Sequence, residues 1–175
     1  MSEPALRASR MGTPPSTYAI RTATSEQTES LGRRLGHLLR SGDVIALSGD
    51  LSAGKTVLTR GIAQGAGAAG YFASPTFTLV REYSGPVSIA HVDLYRLDAP
   101  RQIEDIGFDE ILERDGVVVI EWAEKIRSML PSAYLWVEIR FTDRENEREI
   151  AFIPQGSRYI AITEALVKAD AHPRH

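Results

Sequence analysis

The chain has 175 residues, 43% of them hydrophobic and 25% charged, with a formal net charge of −3 and no cysteine. That length suits one domain with a real core and is short for two. The charge excludes a global basic field for nucleic acid, and the missing cysteine excludes disulfides, zinc–thiolate sites and thiol nucleophiles.

The first 16 residues, MSEPALRASRMGTPPS, carry two arginines but no apolar stretch of the kind a secretory signal needs. They read as a disordered leader, with residues 17–175 as a single domain. No apolar run approaches the ~20 residues of a membrane span, so the expected compartment is the cytoplasm. TYAIRTA (Thr17 to Ala23) alternates and predicts a strand. TSEQTESLGRRLGHLLRSG predicts an amphipathic helix capped by Thr24 or Ser25, with Leu31, Leu35, Leu38 and Leu39 as its apolar stripe and Gly42 as its end. DVIALS is a continuous apolar strand, of the kind buried on both faces in a parallel sheet.

GDLSAGKT follows, from Gly49 to Thr56, and then a helix from about Lys55 to Gln64. GAGAAGYFASP reads as a glycine-rich loop. TFTLVREY and VSIAHVDLYRL predict two strands joined by a turn at Gly85 and Pro86. APRQIEDIGFDEILERDG holds helical pieces broken at Gly107. VVVIEW predicts a buried strand. YLWVEIRF and REIAFIP are late strands around the polar hairpin TDRENE, and SRYIAITEALVKA is a closing helix. The order predicts an α/β fold: a mixed, mostly parallel central sheet with helices on both faces and antiparallel late strands.

Gly49, Gly54, Lys55 and Thr56 match G-x-x-x-x-G-K-[ST], between a buried strand and a helix. The glycines let the loop wrap with its N–H groups inward as an anion nest, and the helix start adds its dipole. In this reading Lys55 reaches the β- and γ-phosphates of a nucleotide, and the Thr56 hydroxyl ligates Mg²⁺. The chain is then P-loop NTPase-like. Such a site also needs a carboxylate at the end of a neighbouring strand. Two candidates stand there, Asp93 after SIAHV and Glu121 after VVVI. Either could hold the metal or position water, and residue order alone does not assign the roles.

The chain lacks N/T-K-x-D and D-x-x-G, which argues against a Ras-like GTPase, and lacks the L-S-G-G-Q of transporter ATPases. A small-molecule kinase stays open. It would want an arginine-bearing lid, and Arg101 and Arg114 lie scattered among acids. A nucleotide-dependent binding module without turnover is a third reading.

GDLSAGKT, SPTFTLVREY, HVDLYRL, IGFDEIL and VIEWAEKI occur in that order. On these blocks the chain resembles the TsaE (YjeE) family, the bacterial ATPases of tRNA threonylcarbamoyladenosine (t6A) synthesis, over roughly Ser25 to Ile153. The resemblance implies an ATP- and Mg²⁺-binding, slowly hydrolysing ATPase. It would couple to the TsaB and TsaD proteins and meet tRNA only through that complex. By resemblance the nucleotide contacts fall on Gly49, Asp50, Leu51, Ser52, Ala53, Gly54, Lys55, Thr56 and Val57. Thr76 comes to lie near the γ-phosphate, and Ser25 and Arg148 line the nucleotide. Asp93 becomes the essential aspartate and Glu121 a second metal-linked acid, beside Trp122. The family's loop usually has glycine where this chain has Ser52. If the position needs positive φ, serine there costs about 1 kcal/mol.

Other residues read more plainly. His91 lies two before Asp93, which puts both on one strand face, and a packed or supporting role is expected for it. His37 falls at the polar edge of the first helix. Trp122 and Trp136 suit core or interface positions. Glu104, Asp105, Asp109, Glu110 and Glu113 form a solvated acidic face.

Overall fold

The computed structural model describes residues 16–171. The expected leader, apart from Ser16, lies outside the described residues. Among the described residues seven strands form one sheet: β1 (Tyr18–Thr22), β2 (Val44–Ser48), β3 (Val80–Tyr83), β4 (Ile89–Asp93), β5 (Val117–Glu121), β6 (Tyr134–Phe141) and β7 (Arg148–Gln155). Their spatial order is β1-β7-β6-β2-β5-β4-β3. The four central strands, β6, β2, β5 and β4, run parallel. β3 adds antiparallel at one edge, and β7 and β1 at the other. The expected mixed sheet is present, and its antiparallel part includes the early β3–β4 hairpin as well as the late strands.

Alternation along the strands divides the core into two layers. Ile45 and Leu47 of β2 join Val117 and Val119 of β5 against α1 (Ser25–Gly36), α2 (Lys55–Gly65) and α5 (Ser157–Ala171). Val44, Ala46, Val118 and Ile120 face the other way. They pack on α3 (Pro100–Asp105), α4 (Phe108–Leu112) and a 3₁₀ segment, Ala123–Met129. β2, β4 and β5 are buried along their whole length; the apolar runs of β2 and β5 require it, and β4 is buried although it carries His91 and Asp93. Among the described residues no helix is long and apolar enough to cross a membrane.

The ends of several elements differ from the sequence expectation, each for a local reason. α1 starts as expected, with Thr24 Oγ1 accepting from Gln27 N at 3.2 Å and Gln27 Oε1 accepting from Ala23 N at 2.7 Å. It ends at Gly36 rather than Gly42, because the chain tightens there: Leu38 N donates to Leu35 O and Leu39 N to Gly36 O. Gly42 instead sits in a later turn, with φ +94°. The segment TFTL is not strand. Thr78 N and Leu79 N both turn back to Pro75 O, so β3 begins only at Val80. β4 stops at Asp93, whose Oδ1 accepts from Tyr95 N at 2.9 Å and closes an Asx turn. The helical break at Gly107 is where expected, with φ +69°. The 3₁₀ segment after Trp122 has no counterpart among the expected elements.

α1 and α2 pack side by side, in parallel, through glycines spaced by four: Gly32 and Gly36 on one, Gly61 and Gly65 on the other. A Cβ on any of these would come closer than 3.0 Å to the backbone of the facing helix. The missing side chains let the two helices touch backbone to backbone. Both N-termini therefore open at the same end of the sheet, beside the loop that follows β2.

Candidate phosphate-binding site

The loop from Gly49 to Gly54 leaves β2 and turns into α2. Gly49 (φ +143°), Ser52 (φ +63°) and Gly54 (φ +113°) all adopt left-handed backbone, which curls the loop on itself. Gly54 has only Thr28 Cγ2 near its absent Cβ, at 3.9 Å, so conformation and not crowding selects glycine there. Ser52 takes the same backbone region without being glycine, at a cost of about 1 kcal/mol. We expect Ser52→Gly to leave nucleotide affinity unchanged or to tighten it, read by titration with a fluorescent ATP analogue. A large loss would mean that the hydroxyl is used.

Lys55 opens α2 and is only 4% exposed. Its Nζ donates to Gly49 O at 2.5 Å and to Asp50 O at 2.8 Å, spanning the loop, and sits 3.9 Å above the Trp122 ring. Burial holds this ammonium below the usual lysine range, against the opposing pull of Glu121, Glu124, Asp93 and Asp50. Thr56 Oγ1 donates to Glu121, 3.1 Å and 3.2 Å from its two oxygens.

The strands deliver the acids. Asp93 and Glu121 are register partners at the carboxyl ends of β4 and β5, and both are almost fully buried. Strand alternation points them, with His91, to the α2 side of the sheet. Asp93 Oδ2 accepts from Thr76 Oγ1 at 2.8 Å and from Ser74 Oγ at 3.1 Å. Glu121 Oε1 lies 2.7 Å from His91 Nε2.

Besides a space at the loop's entry lined by Gly49, Asp50 and Trp136, two cavities flank the loop. One, of about 280 Å³, gathers Lys55, Thr56, Thr76, Asp93, Glu121 and Trp122, with Leu51 at its rim. The other, of about 370 Å³, lies between the start of α1 and the late hairpin, and Ser25, Ala53, Asn146 and Arg148 line it. Ser52, Gly54 and Val57 border both. Arg148 Nε donates to Ala53 O at 3.1 Å, and its guanidinium stacks over Phe141. The predicted residues thus collect around these two spaces. Gly49 and Asp50 are the exceptions, standing at the loop's entry and offering their carbonyls to Lys55.

Sequence reasoning did not single out Ser74 or Tyr95. Both stand two residues from a predicted site residue, Thr76 and Asp93, and that spacing was the available signal. Asn146 gave none. It borders the larger cavity from a hairpin with φ +64°. Trp122 also has left-handed backbone, φ +61°, as does Leu79, φ +65°, at the end of the turn that carries Thr76. His37 is exposed and Trp136 is buried, as expected. Arg101 is exposed and Arg114 pairs with Glu82, so neither reaches the cavities.

The donor set can be tested against a metal–nucleotide ligand. No group of three or more His, Cys, Asp or Glu among the described residues forms a ready cation cage. What the small cavity offers is the Thr56 and Thr76 hydroxyls, two carboxylates and an ammonium beside the curled loop. Mg²⁺ is commonly held in that way, by one or two protein oxygens completed by phosphate and water. The set fits.

A wrapped glycine loop between a buried parallel strand and a helix, with acids at adjacent strand ends, defines the P-loop NTPase-like class of α/β proteins. Within that class the family model for "Threonylcarbamoyl adenosine biosynthesis protein TsaE" matches residues 22–150. The tRNA threonylcarbamoyladenosine biosynthesis protein TsaE of Bacillus subtilis is 38% identical over 151 residues, 86% of this chain and 94% of that protein. Its counterpart in Streptomyces coelicolor is 48% identical over 99 residues, 54% of this chain and 66% of that one. The crystal structure of Bacillus subtilis YdiB superposes with a TM-score of 0.78 at 33% identity, covering 91% of this chain and 99% of the other. The chain belongs to the TsaE family.

Proposed function

We propose that this protein serves tRNA threonylcarbamoyladenosine biosynthesis as an ATP-binding, slowly hydrolysing ATPase that couples to a TsaB–TsaD transferase complex. The observation that carries the chemistry is the convergence of Lys55, Thr56, Asp93 and Glu121 on one cavity beside the loop. Family membership carries the pathway. In this reading Lys55 exchanges its loop carbonyls for phosphate oxygens and places positive charge where negative charge builds up. Thr56 and Glu121, already in contact, hold Mg²⁺, and Asp93, tied to Ser74 and Thr76, orients the attacking water. Mg²⁺ supplies charge neutralisation at the phosphoryl oxygens when bound. Ser25 and Arg148 shape the larger cavity for the rest of the nucleotide. A net charge of −3 gives the chain no basic field of its own for tRNA, so tRNA is met through the complex.

The test is ADP release by the purified protein, alone and with TsaB and TsaD proteins of its organism, with Lys55→Met as control. We expect slow release alone and stimulation by the pair, both lost in the control. Turnover indifferent to the pair removes the coupling role. ADP release that rises only with a small-molecule acceptor favours a kinase, and nucleotide binding without turnover in any condition favours a binding module.

A further inference from the structure

We propose that His91 is a positioning residue that aims the Glu121 carboxylate, and that Tyr83 holds His91 in place. This rests on the Mg²⁺–ATP reading above. His91 is 1% exposed, in the middle of β4, with apolar β5 residues and the α2 layer around it. A carboxylate only accepts hydrogen bonds, so the short contact from Nε2 to Glu121 Oε1, 2.7 Å, has His91 as donor. The other donor side chain on Glu121 among the described residues is Thr56, whose single hydroxyl proton is shared between both oxygens. Thr56 alone therefore leaves the carboxylate free to rotate. The His91 N–H breaks that symmetry and fixes which oxygen faces the strand and which faces the cavity.

His91 is fixed in turn. Its Nδ1, the acceptor nitrogen once Nε2 donates to Glu121, lies 3.4 Å from the Tyr83 hydroxyl, whose proton is shared between this nitrogen and Ala73 O at 2.8 Å. The Phe72 ring packs on Tyr83 at 5.0 Å between centroids. A continuous series of contacts runs from Ala73, next to Ser74, through Tyr83, His91 and Glu121 to Thr56. The loop that carries Ser74 and Thr76 is thereby tied to both acids: directly to Asp93, and through Tyr83 and His91 to Glu121. A group that orients a metal-binding carboxylate from behind contributes about 10–100-fold to metal affinity or rate.

Three variants of the full chain test this: His91→Met, which removes the donor, His91→Gln, which restores an N–H, and Tyr83→Phe, which removes only the hydroxyl. Binding of a fluorescent ATP analogue is titrated without metal and then against Mg²⁺, beside ADP release and thermal melting. We expect His91→Met to raise the half-saturating Mg²⁺ and lower kcat by about 10-fold or more, with metal-free affinity within about twofold of wild type. His91→Gln recovers most of both, and Tyr83→Phe moves Mg²⁺ half-saturation in the same direction by less. An unmoved Mg²⁺ half-saturation in folded His91→Met overturns the inference, as does a joint fall of the Met and Gln variants that tracks their melting temperatures. If His91→Met does not fold, Tyr83→Phe decides, and no Mg²⁺ shift there overturns it. Wild-type protein without Mg²⁺-dependent ATP binding overturns the underlying ATPase reading, and this inference falls with it.

Discussion

Replacing Lys55 with methionine is expected to reduce ATP turnover by about 100-fold or more, the range seen when a preorganised charge donor is removed from a developing anion. The same variant is expected to melt no lower than wild type. These outcomes come from opposite sides of one residue. The ammonium has two carbonyl partners and an aromatic face, yet burial outweighs them and lowers its pKa. A lysine with a lowered folded-state pKa costs stability while it is charged. Between that lowered value and the ordinary 10.5 the unfolded chain binds more protons, so wild-type stability rises with pH in that window. Methionine keeps the stem and removes the charge. Its melting temperature should therefore match or exceed wild type at neutral pH, with the gap narrowing as pH approaches 10.5. Turnover within about tenfold of wild type would place the phosphates elsewhere. A large fall in melting temperature would mean that the lysine's bonds to the loop outweigh the cost of burying its charge.

Gly61→Ala is expected to destabilise the fold by about 3 kcal/mol or more, the upper part of the overpacking range. In a chain of this size that corresponds to a melting temperature lower by roughly 6–12 °C. Helix propensity alone predicts the reverse, because alanine is better than glycine in a helix interior by up to ~1 kcal/mol. Packing sets the sign. The new Cβ would press on the Glu29 carbonyl and the Gly32 Cα of the facing helix, and neither is a flexible side-chain end that can swing away. Gly42→Ala is the control. Nothing lies within 4 Å of its Cβ position, and only its φ of +94° resists substitution, at about 1 kcal/mol. If the two variants melted alike, the helix contact would be looser than described, and the shared orientation of the two N-termini would need another cause.

The parts of this site that follow a spacing rule were readable in the sequence. The glycines, Lys55 and Thr56 lie within eight residues between a buried strand and a helix. Asp93 and Glu121 were found because an apolar strand delivers its last residue to the ligand end of a parallel sheet. Thr76, Ser25 and Arg148 came only from family resemblance, since nothing local marks them. The partnership of His91 with Glu121 spans 30 positions and depends on β4 pairing with β5, which no local pattern states. The helix-to-helix contact was written in the sequence as LGRRLG and GIAQG, but small residues at a spacing of four read equally as weak points in a helix until the partner is known. The misplaced ends of α1, β3 and β4 share a cause. In each, a hydrogen bond or turn overrode a continuing apolar pattern, as Pro75 does before β3 and the Asp93 carboxylate does after β4.

Among the described residues, the four non-glycine positions with left-handed backbone are Ser52, Leu79, Trp122 and Asn146. Three border the two cavities, and Leu79 closes the turn that holds Thr76. At about 1 kcal/mol each, Ser52, Leu79 and Trp122 concentrate some 3 kcal/mol of relievable strain in one place, asparagine being at home in this backbone region. A laboratory selection for heat resistance would therefore draw its early gains from this ring, mostly as exchanges to glycine or asparagine. At Trp122 such an exchange would also strip the face from Lys55 and the ring partner from Tyr95. Hits there should be screened for turnover before they are combined, and hits from the surface of α3 or α4 can be pooled freely.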